Sequence, residues 1–281
     1  MHCEYDLHVH STFSDGTLSP QSLIKKAIAQ GLVGISITDH DTLDGVEETI
    51  TYIKFAALKI DYVPGIELNT EPEEEGNEVH ILGYYIGYNH PGFRDRLHEI
   101  RTQRRNRALQ MVEKLNDLGC RLSFEKVASL AGSDLIGRPH IAMAMVEAGY
   151  AENIRQVFEQ YIDYGRPAYV KRYKFPPREA IELIKSSGGI AVLAHPGLIK
   201  NQALIGRLIK TGIEGLEVYY PRHSKQQTAD YLKLARENKL LVTGGSDYHG
   251  PGSSESRDQL GVSGIDRETM VSLKAYKNKL T

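Results

Sequence analysis

The sequence predicts an α/β protein built on a mostly parallel sheet covered by helices, and three observations lead there. Strand-like and helix-like segments alternate over residues 5 to 86 and again over 177 to 249, the rhythm of repeated strand-helix units. Histidines and carboxylates recur at the ends of several of those strands, where α/β sheets and barrels place their sites. Between the two stretches, residues 97 to 168 carry helical periodicity alone, as an inserted helical segment would. Seven predicted strands would suit either an open sheet or a barrel.

The elements can be justified in order. YDLHVH alternates with period two, which puts His8 and His10 on one face and Leu7 and Val9 on the other. SPQSLIKKAIAQG reads as a helix, with Ser19 as cap, Pro20 in its first turn and Gly31 at its end. VGISIT is a buried strand running into DHDTLDG, and a helix is expected over about 43 to 58. Strands follow at IDYVPGIEL and EVHILGYYI, separated by an exposed charged loop over residues 71 to 78. Within 97 to 168, Ala108, Met111, Val112, Leu115 and Leu118 have helical spacing with Gly119 as terminator, and short helices are expected near 123 to 130, 139 to 148 and 151 to 161. After PAYVKRYKFPP the alternation resumes: helix, strand IAVLAHPG, helix, strand GLEVYY, helix, strand LLVTGGSDYHG. The expected organisation is therefore 1–96 with 169–281 as the main domain and 97–168 as a small inserted one.

The chain has 281 residues and a formal net charge of −2, which excludes bulk electrostatics as a basis for nucleic-acid binding while leaving a local basic patch open. Cys3 and Cys120 are far apart and form no CxxC pair, so reduced thiols in a cytoplasmic setting are expected. The first ten residues run straight into strand-like sequence, and no signal peptide, membrane span or obligate protein partner is expected. GxxxxGK[ST], GxGxxG after the first strand and GxSxG are all missing, which disfavours nucleoside triphosphate hydrolysis, dinucleotide redox chemistry and a serine nucleophile.

Of eleven histidines, six fall near strand ends: His8, His10, His40, His80, His195 and His249, accompanied by Asp15, Glu67 and Asp247. Singly, each is more readily a surface or hydrogen-bonded core residue. Jointly, imidazoles and carboxylates gathered at successive strand ends suit manganese, zinc or iron, and the scarcity of cysteine argues against a thiolate site.

DLHVHSTFSDGTLSP, ITDHDTLDG, PGIELNTE, VHILGY, AHPG and GGSDYHG resemble, in order, the motifs of the polymerase and histidinol phosphatase (PHP) superfamily. The resemblance implies a distorted seven-stranded β/α barrel and metal-dependent hydrolysis of phosphate monoesters by metal-activated water. It implies two or three divalent ions, manganese favoured, with zinc, iron or magnesium as alternatives. Carried over by motif, His8, His10, Glu67 and Asp247 would hold one ion, Glu67 would bridge to a second held by His80 and His195, and Asp15, His40 and His249 would hold a third. Glu67 and Asp247 would thereby be catalytic.

LIGRPHIA, PAYV and GLEVYYPRHS are similar to the subfamily that removes the 3'-phosphate from nucleoside 3',5'-bisphosphates, in which the insert forms a lid. The implied substrate is a small phosphate ester, a nucleotide, with short RNA oligonucleotides as a further substrate. Arg138 at a predicted helix start could grip phosphate, or be solvated. His223 could contact phosphate or donate a proton, or be an exposed loop histidine. Arg222, Lys171 and Arg172 could form a second phosphate pocket, or KRYK could be a solvated charge run. Arg101, Arg104, Arg105 and Arg107 read as a solvated helix face in preference to a polyanion contact. Alternatives within the chemistry are a histidinol-phosphate or broad small-molecule phosphatase and a 3'-to-5' exonuclease on short oligonucleotides; outside it stands a non-catalytic metal-binding regulatory protein.

Overall fold

The computed structural model describes residues 3–72, 78–131, 136–171, 173–253 and 257–280. The chain divides into two compact units, residues 1–94 with 175–281, and residues 95–174.

The first unit is α/β. Its strands are β1 (Tyr5–Val9), β2 (Gly34–Ile37), β3 (Asp61–Tyr62), β4 (Gly65–Thr70), β5 (Val79–Tyr84), β6 (Ile190–Leu193), β7 (Gly215–Tyr219) and β8 (Leu241–Gly244). They form a three-stranded sheet, β1-β2-β3, and a five-stranded sheet, β4-β5-β6-β7-β8. The sequence leads one to expect seven strands in an open sheet or a barrel, and the family resemblance a seven-stranded barrel; among the described residues there are eight, in two sheets, and no single closed barrel. Pro64 accounts for the extra strand. It has no N–H to offer a ladder, so IDYVPGIEL divides: β3 pairs with β2, and β4 pairs with β5.

Four of the six strand pairings are parallel, as expected, and β5 is the exception, antiparallel to both β4 and β6. Among the described residues no helix intervenes between β4 and β5, and the chain returns in the opposite sense. Isolated bridges Val9–Tyr248 and His40–Glu67 bring β1 and the end of β2 against the two outer strands of the larger sheet. Both bridges involve residues in or beside the histidine motifs.

The helices of this unit are α1 (Pro20–Ala29) and α2 (Asp44–Phe55), the start of α3 (Pro91–Asp117), and α7 (Pro177–Ser186), α8 (Ala203–Lys210), α9 (Lys225–Glu237) and α10 (Arg267–Leu280). The Ser19 side chain accepts the Ser22 N–H and caps α1, and Gly31 takes φ 79° just beyond it. One core holds Leu7, Leu82, Tyr84, Ile190 and Val192, and another Val9, Leu23, Ile24, Ile35 and Tyr248. Each fully buried aliphatic side chain contributes roughly 1.5–3 kcal/mol, so β1 is anchored in both cores through Leu7 and Val9.

The second unit is helical: the rest of α3, then α4 (Phe124–Ala131), α5 (Arg138–Glu147) and α6 (Ile154–Val157), which runs into a π-helical turn over Phe158–Ile162. Ala108, Met111, Val112 and Leu115 are buried in its core with Ile141 and Met145. Leu118, read as part of the same face, is exposed because α3 ends at Asp117 and the chain turns at Gly119 with φ 89°. Arg107 donates to the Val170 carbonyl and Arg105 lies over the Phe124 ring, so these arginines pack along their own unit.

Candidate metal centre

All nine sequence-predicted metal ligands converge in the first unit. His8 lies in β1 and His10 one residue past it, and a register irregularity between Asp6 and Val9 bends the strand there. Their ring centroids are 5.2 Å apart, and the Nε2 atom of each lies 3.3 Å from Glu67 Oε2. His40 follows β2, His195 follows β6, and Asp247 and His249 follow β8. His80 is the second residue of β5, yet joins the others because β5 runs in the opposite direction. Glu67 stands in β4, third from its start.

Glu67 is the centre of the arrangement. Its Oε1 lies 2.9 Å from His80 Nδ1 and 3.0 Å from His195 Nε2; its Oε2 lies 3.0 Å from His40 Nδ1 in addition to His8 and His10. Asp247 Oδ1 lies 3.2 Å from His10 Nε2, and Asp15 Oδ1 lies 3.3 Å from His249 Nε2. Four overlapping groups could each surround an ion: His10, Asp15, His40 and His249; His8, Glu67 and His195; His8, His10 and Asp247; and His40, Glu67 and His80.

Five carboxylate-facing imidazoles about one buried acid are a strained arrangement for hydrogen bonding alone. His8 Nε2, both ring nitrogens of His10, His40 Nδ1, Glu67 Oε2 and His80 Nε2 are buried without a hydrogen-bond partner. Buried polar atoms normally have one. Soft-to-borderline nitrogen donors beside hard oxygens are the donor set for first-row divalent metals. The residues therefore fit divalent ions.

Electrostatics in the metal-free chain agree. Burial opposes ionisation of Glu67, but His40, His8 and His80 outweigh it and hold the carboxyl well below the usual range. Burial likewise works against charge on His80, and the Glu67 carboxylate overcomes it, raising His80 to about 10. His195 and Asp247 take left-handed backbone angles, φ 27° and 54°, a conformation that costs a non-glycine residue about 1–3 kcal/mol and persists where surrounding structure enforces it.

A cavity of about 130 Å³ opens beside this centre, lined by His40, Glu67, His80, His195, Leu198, Tyr220, Arg222, Asp247 and Arg257. Arg222 thus lines the site. Arg138 and Lys171 belong to the other compact unit; Arg138 pairs with Asp163 at 3.3 Å and lies over the Phe158 ring. Arg172 lies outside the described residues. His223 is half-buried, and burial lowers its pKa. Its Nδ1–H donates to the Val218 carbonyl at 2.9 Å and its Nε2 accepts the Gly197 N–H at 3.1 Å.

Sequence reasoning missed four residues. Arg257 lines the cavity and reaches His249 Nε2 at 3.2 Å; nothing near RDQLG signals this. Tyr220, at the end of GLEVYY, donates to Asp247 Oδ2 at 2.9 Å. Asp39, the first residue of DHD, accepts from Ser11 N–H and from the Ser11 and Ser14 hydroxyls, and so shapes the loop that carries Asp15. Glu217 is completely buried behind His8.

Comparison with known proteins places the chain in a family. The PHP domain family matches residues 6–242. A 5'-3' exoribonuclease Rnm from Salmonella typhimurium is 33% identical over 252 residues, covering 88% of this chain and 85% of that protein. A 3',5'-nucleoside bisphosphate phosphatase from Chromobacterium violaceum is 33% identical over 253 residues, covering 88% and 87%. Among solved structures, a Bifidobacterium adolescentis protein described as a metal-dependent phosphoesterase superposes with a TM-score of 0.82 at 29% identity, covering 96% of this chain and 95% of that one. With a histidine–carboxylate centre fitted to divalent ions and a match spanning most of its length, the chain belongs to the PHP domain family and is a metal-dependent phosphoesterase.

Proposed function

We propose that the enzyme cleaves the bond between phosphorus and the 3'-oxygen of a 5'-phosphorylated nucleotide, with nucleoside 3',5'-bisphosphates as substrates and the 5'-monophosphate as product. The observation that carries this reading is the cavity beside Glu67. At about 130 Å³ it is well below the roughly 300–1,000 Å³ of pockets that engulf a whole ligand. It suits one phosphoryl group with the nucleoside outside. Two guanidinium groups, Arg222 and Arg257, line it, and each can meet phosphate oxygens with paired N–H donors.

Glu67, Asp247 and the six histidines, with Asp15, would hold the divalent ions. Such ions neutralise phosphate oxygens and lower the pKa of water from about 15.7 towards 7. The chain's own groups supply the rest. Tyr220, whose phenol is kept protonated by burial and by Asp247, donates to Asp247 Oδ2 and so fixes which oxygen faces the cavity. Arg222 and Arg257 orient the ester.

The relatives named for exoribonuclease activity and the one named for bisphosphate phosphatase activity support a single bond-breaking event with two kinds of substituent. If the scissile phosphate carries no further nucleotide, inorganic phosphate leaves. If it carries one, the 5'-terminal nucleotide leaves, and the polarity is 5'-to-3', opposite to the 3'-to-5' alternative expected from sequence.

The test is product analysis with added Mn²⁺ on adenosine 3',5'-bisphosphate, 3'-AMP, 5'-AMP, histidinol phosphate and a 5'-phosphorylated dinucleotide at equal concentration. Preference for the bisphosphate over 3'-AMP, giving 5'-AMP and phosphate, is the expected result. Preference for histidinol phosphate, or indifference to the 5'-phosphate, would overturn the substrate reading and leave the metal centre standing.

A further inference from the structure

Glu217 stands in the middle of β7, between β6 and β8, with 0% exposure. A carboxylate at such a position is costly unless both oxygens are satisfied. They are, and by two candidate ligands on different strands. Oε1 lies 2.9 Å from His8 Nδ1, and Oε2 accepts the His195 backbone N–H at 2.7 Å. A register irregularity between Glu217 and Tyr219 lets the strand aim the side chain at both.

We propose that Glu217 is a positioning residue that sets the donor atoms of two metal ligands at once, the His8 ring and the His195 backbone. A carboxylate only accepts hydrogen bonds, so the His8 nitrogen facing it carries the proton. The other nitrogen, Nε2, is then a lone-pair donor, and it points between Glu67 Oε2 at 3.3 Å and Asp247 Oδ1 at 3.6 Å with no hydrogen-bond partner. At His195 the same carboxylate holds the N–H of a residue at φ 27° and ψ 60°, a backbone conformation that needs an external tether. From that tethered backbone the His195 ring reaches Glu67 Oε1 at 3.0 Å. The two oxygens of Glu217 thus serve the two sides of Glu67. This inference rests on the metal-ligand reading of His8 and His195 and is independent of which ester is the substrate.

Glu217→Gln separates the role from mere packing. Glutamine has nearly the same volume but one acceptor and one NH₂. If its oxygen keeps the His195 N–H, its NH₂ faces His8 Nδ1 and favours the tautomer with the proton on Nε2, which cannot ligate. If it turns over, two donors meet at His195. Mn²⁺ alone is titrated calorimetrically into the chelated full-length protein, with far-UV circular dichroism as the check on folding. The expected result is Mn²⁺ binding weakened about 10- to 100-fold, the usual effect of removing a ligand's supporting carboxylate.

A folded Glu217→Gln protein that binds Mn²⁺ within about two-fold of the wild type would overturn the proposal, because a structural role would lower the melting temperature alone. If that variant does not fold, Glu217→Asp replaces it. It keeps the charge but is one methylene too short to reach both partners, and the same weakening is expected. A double-mutant cycle locates the effect: with His8→Ala the loss from Glu217→Gln should shrink, and full additivity would contradict the link to His8. Unchanged Mn²⁺ affinity in His8→Ala alone would instead overturn the ligand reading beneath it.

Discussion

Replacing Glu67 by glutamine is the perturbation to which the site should be most sensitive. The carboxylate divides five histidines between its oxygens: His80 and His195 at 2.9 and 3.0 Å from Oε1, and His40, His8 and His10 at 3.0, 3.3 and 3.3 Å from Oε2. Glutamine keeps the shape, loses the charge, and turns a donor towards one of the two sets in either orientation. Removing a group that merely supports a ligand costs about 10- to 100-fold in metal affinity, and here the shared anion itself is lost on both sides. The expected fall in turnover is at least about 10²-fold, or roughly 2.7 kcal/mol at 1.36 kcal/mol per decade. The assay is steady-state phosphate release at saturating Mn²⁺, with folding checked by circular dichroism. Full activity in Glu67→Gln at saturating metal would refute the bridging role.

Four further outcomes are expected. Chelation should abolish activity, Mn²⁺ should restore it, and ion at 100 times its dissociation constant should stabilise the fold by about 2.7 kcal/mol, read as a rise in melting temperature. In the metal-free protein His80 is raised to about 10; its contribution to stability is complete below the unfolded value near 6.5 and is lost as pH rises through about 10. The melting temperature of chelated protein should therefore fall from neutral pH to pH 10, and fall less in Glu67→Gln. Gly245→Ala should reduce folded yield and Mn²⁺ binding together, because the added methyl would overlap the His8 backbone and Cβ. Arg222→Ala and Arg257→Ala should each raise KM for the bisphosphate about 10-fold or more by removing a charge-assisted contact, while Mn²⁺ affinity measured without substrate changes little in Arg222→Ala.

Most of the nine candidate ligands stand out in the sequence by their patterned places, whereas Asp15 and Glu67 are picked out by the resemblance of their motifs. His8 and His10 announce themselves by period two, and His40, His195, Asp247 and His249 follow apolar strand runs. The α/β alternation and the caps of α1 were legible for the same local reasons. The split into two sheets was not, since it turns on the single missing N–H of Pro64 and on which neighbour β3 and β4 each choose. Glu217 was invisible because a glutamate inside GLEVYY reads as an ordinary polar position in a strand; only the packing of β7 between β6 and β8 reveals it as buried. Arg257 was missed because the sequence before it, GPGSSES, carries no periodicity, and it reaches His249 by tertiary proximity alone. His223 stands out by its motif, which carries no trace of the hydrogen bonds its ring makes with the Val218 carbonyl and the Gly197 N–H.

The most direct test of the metal-centred account is to titrate Mn²⁺ into chelated protein while following both bound ion and phosphate release from adenosine 3',5'-bisphosphate. The account predicts no release without metal, and release that rises as more than one ion binds per chain and is lost in Glu67→Gln. Release that persists in fully chelated protein, or Mn²⁺ binding that leaves the rate unchanged, would contradict it.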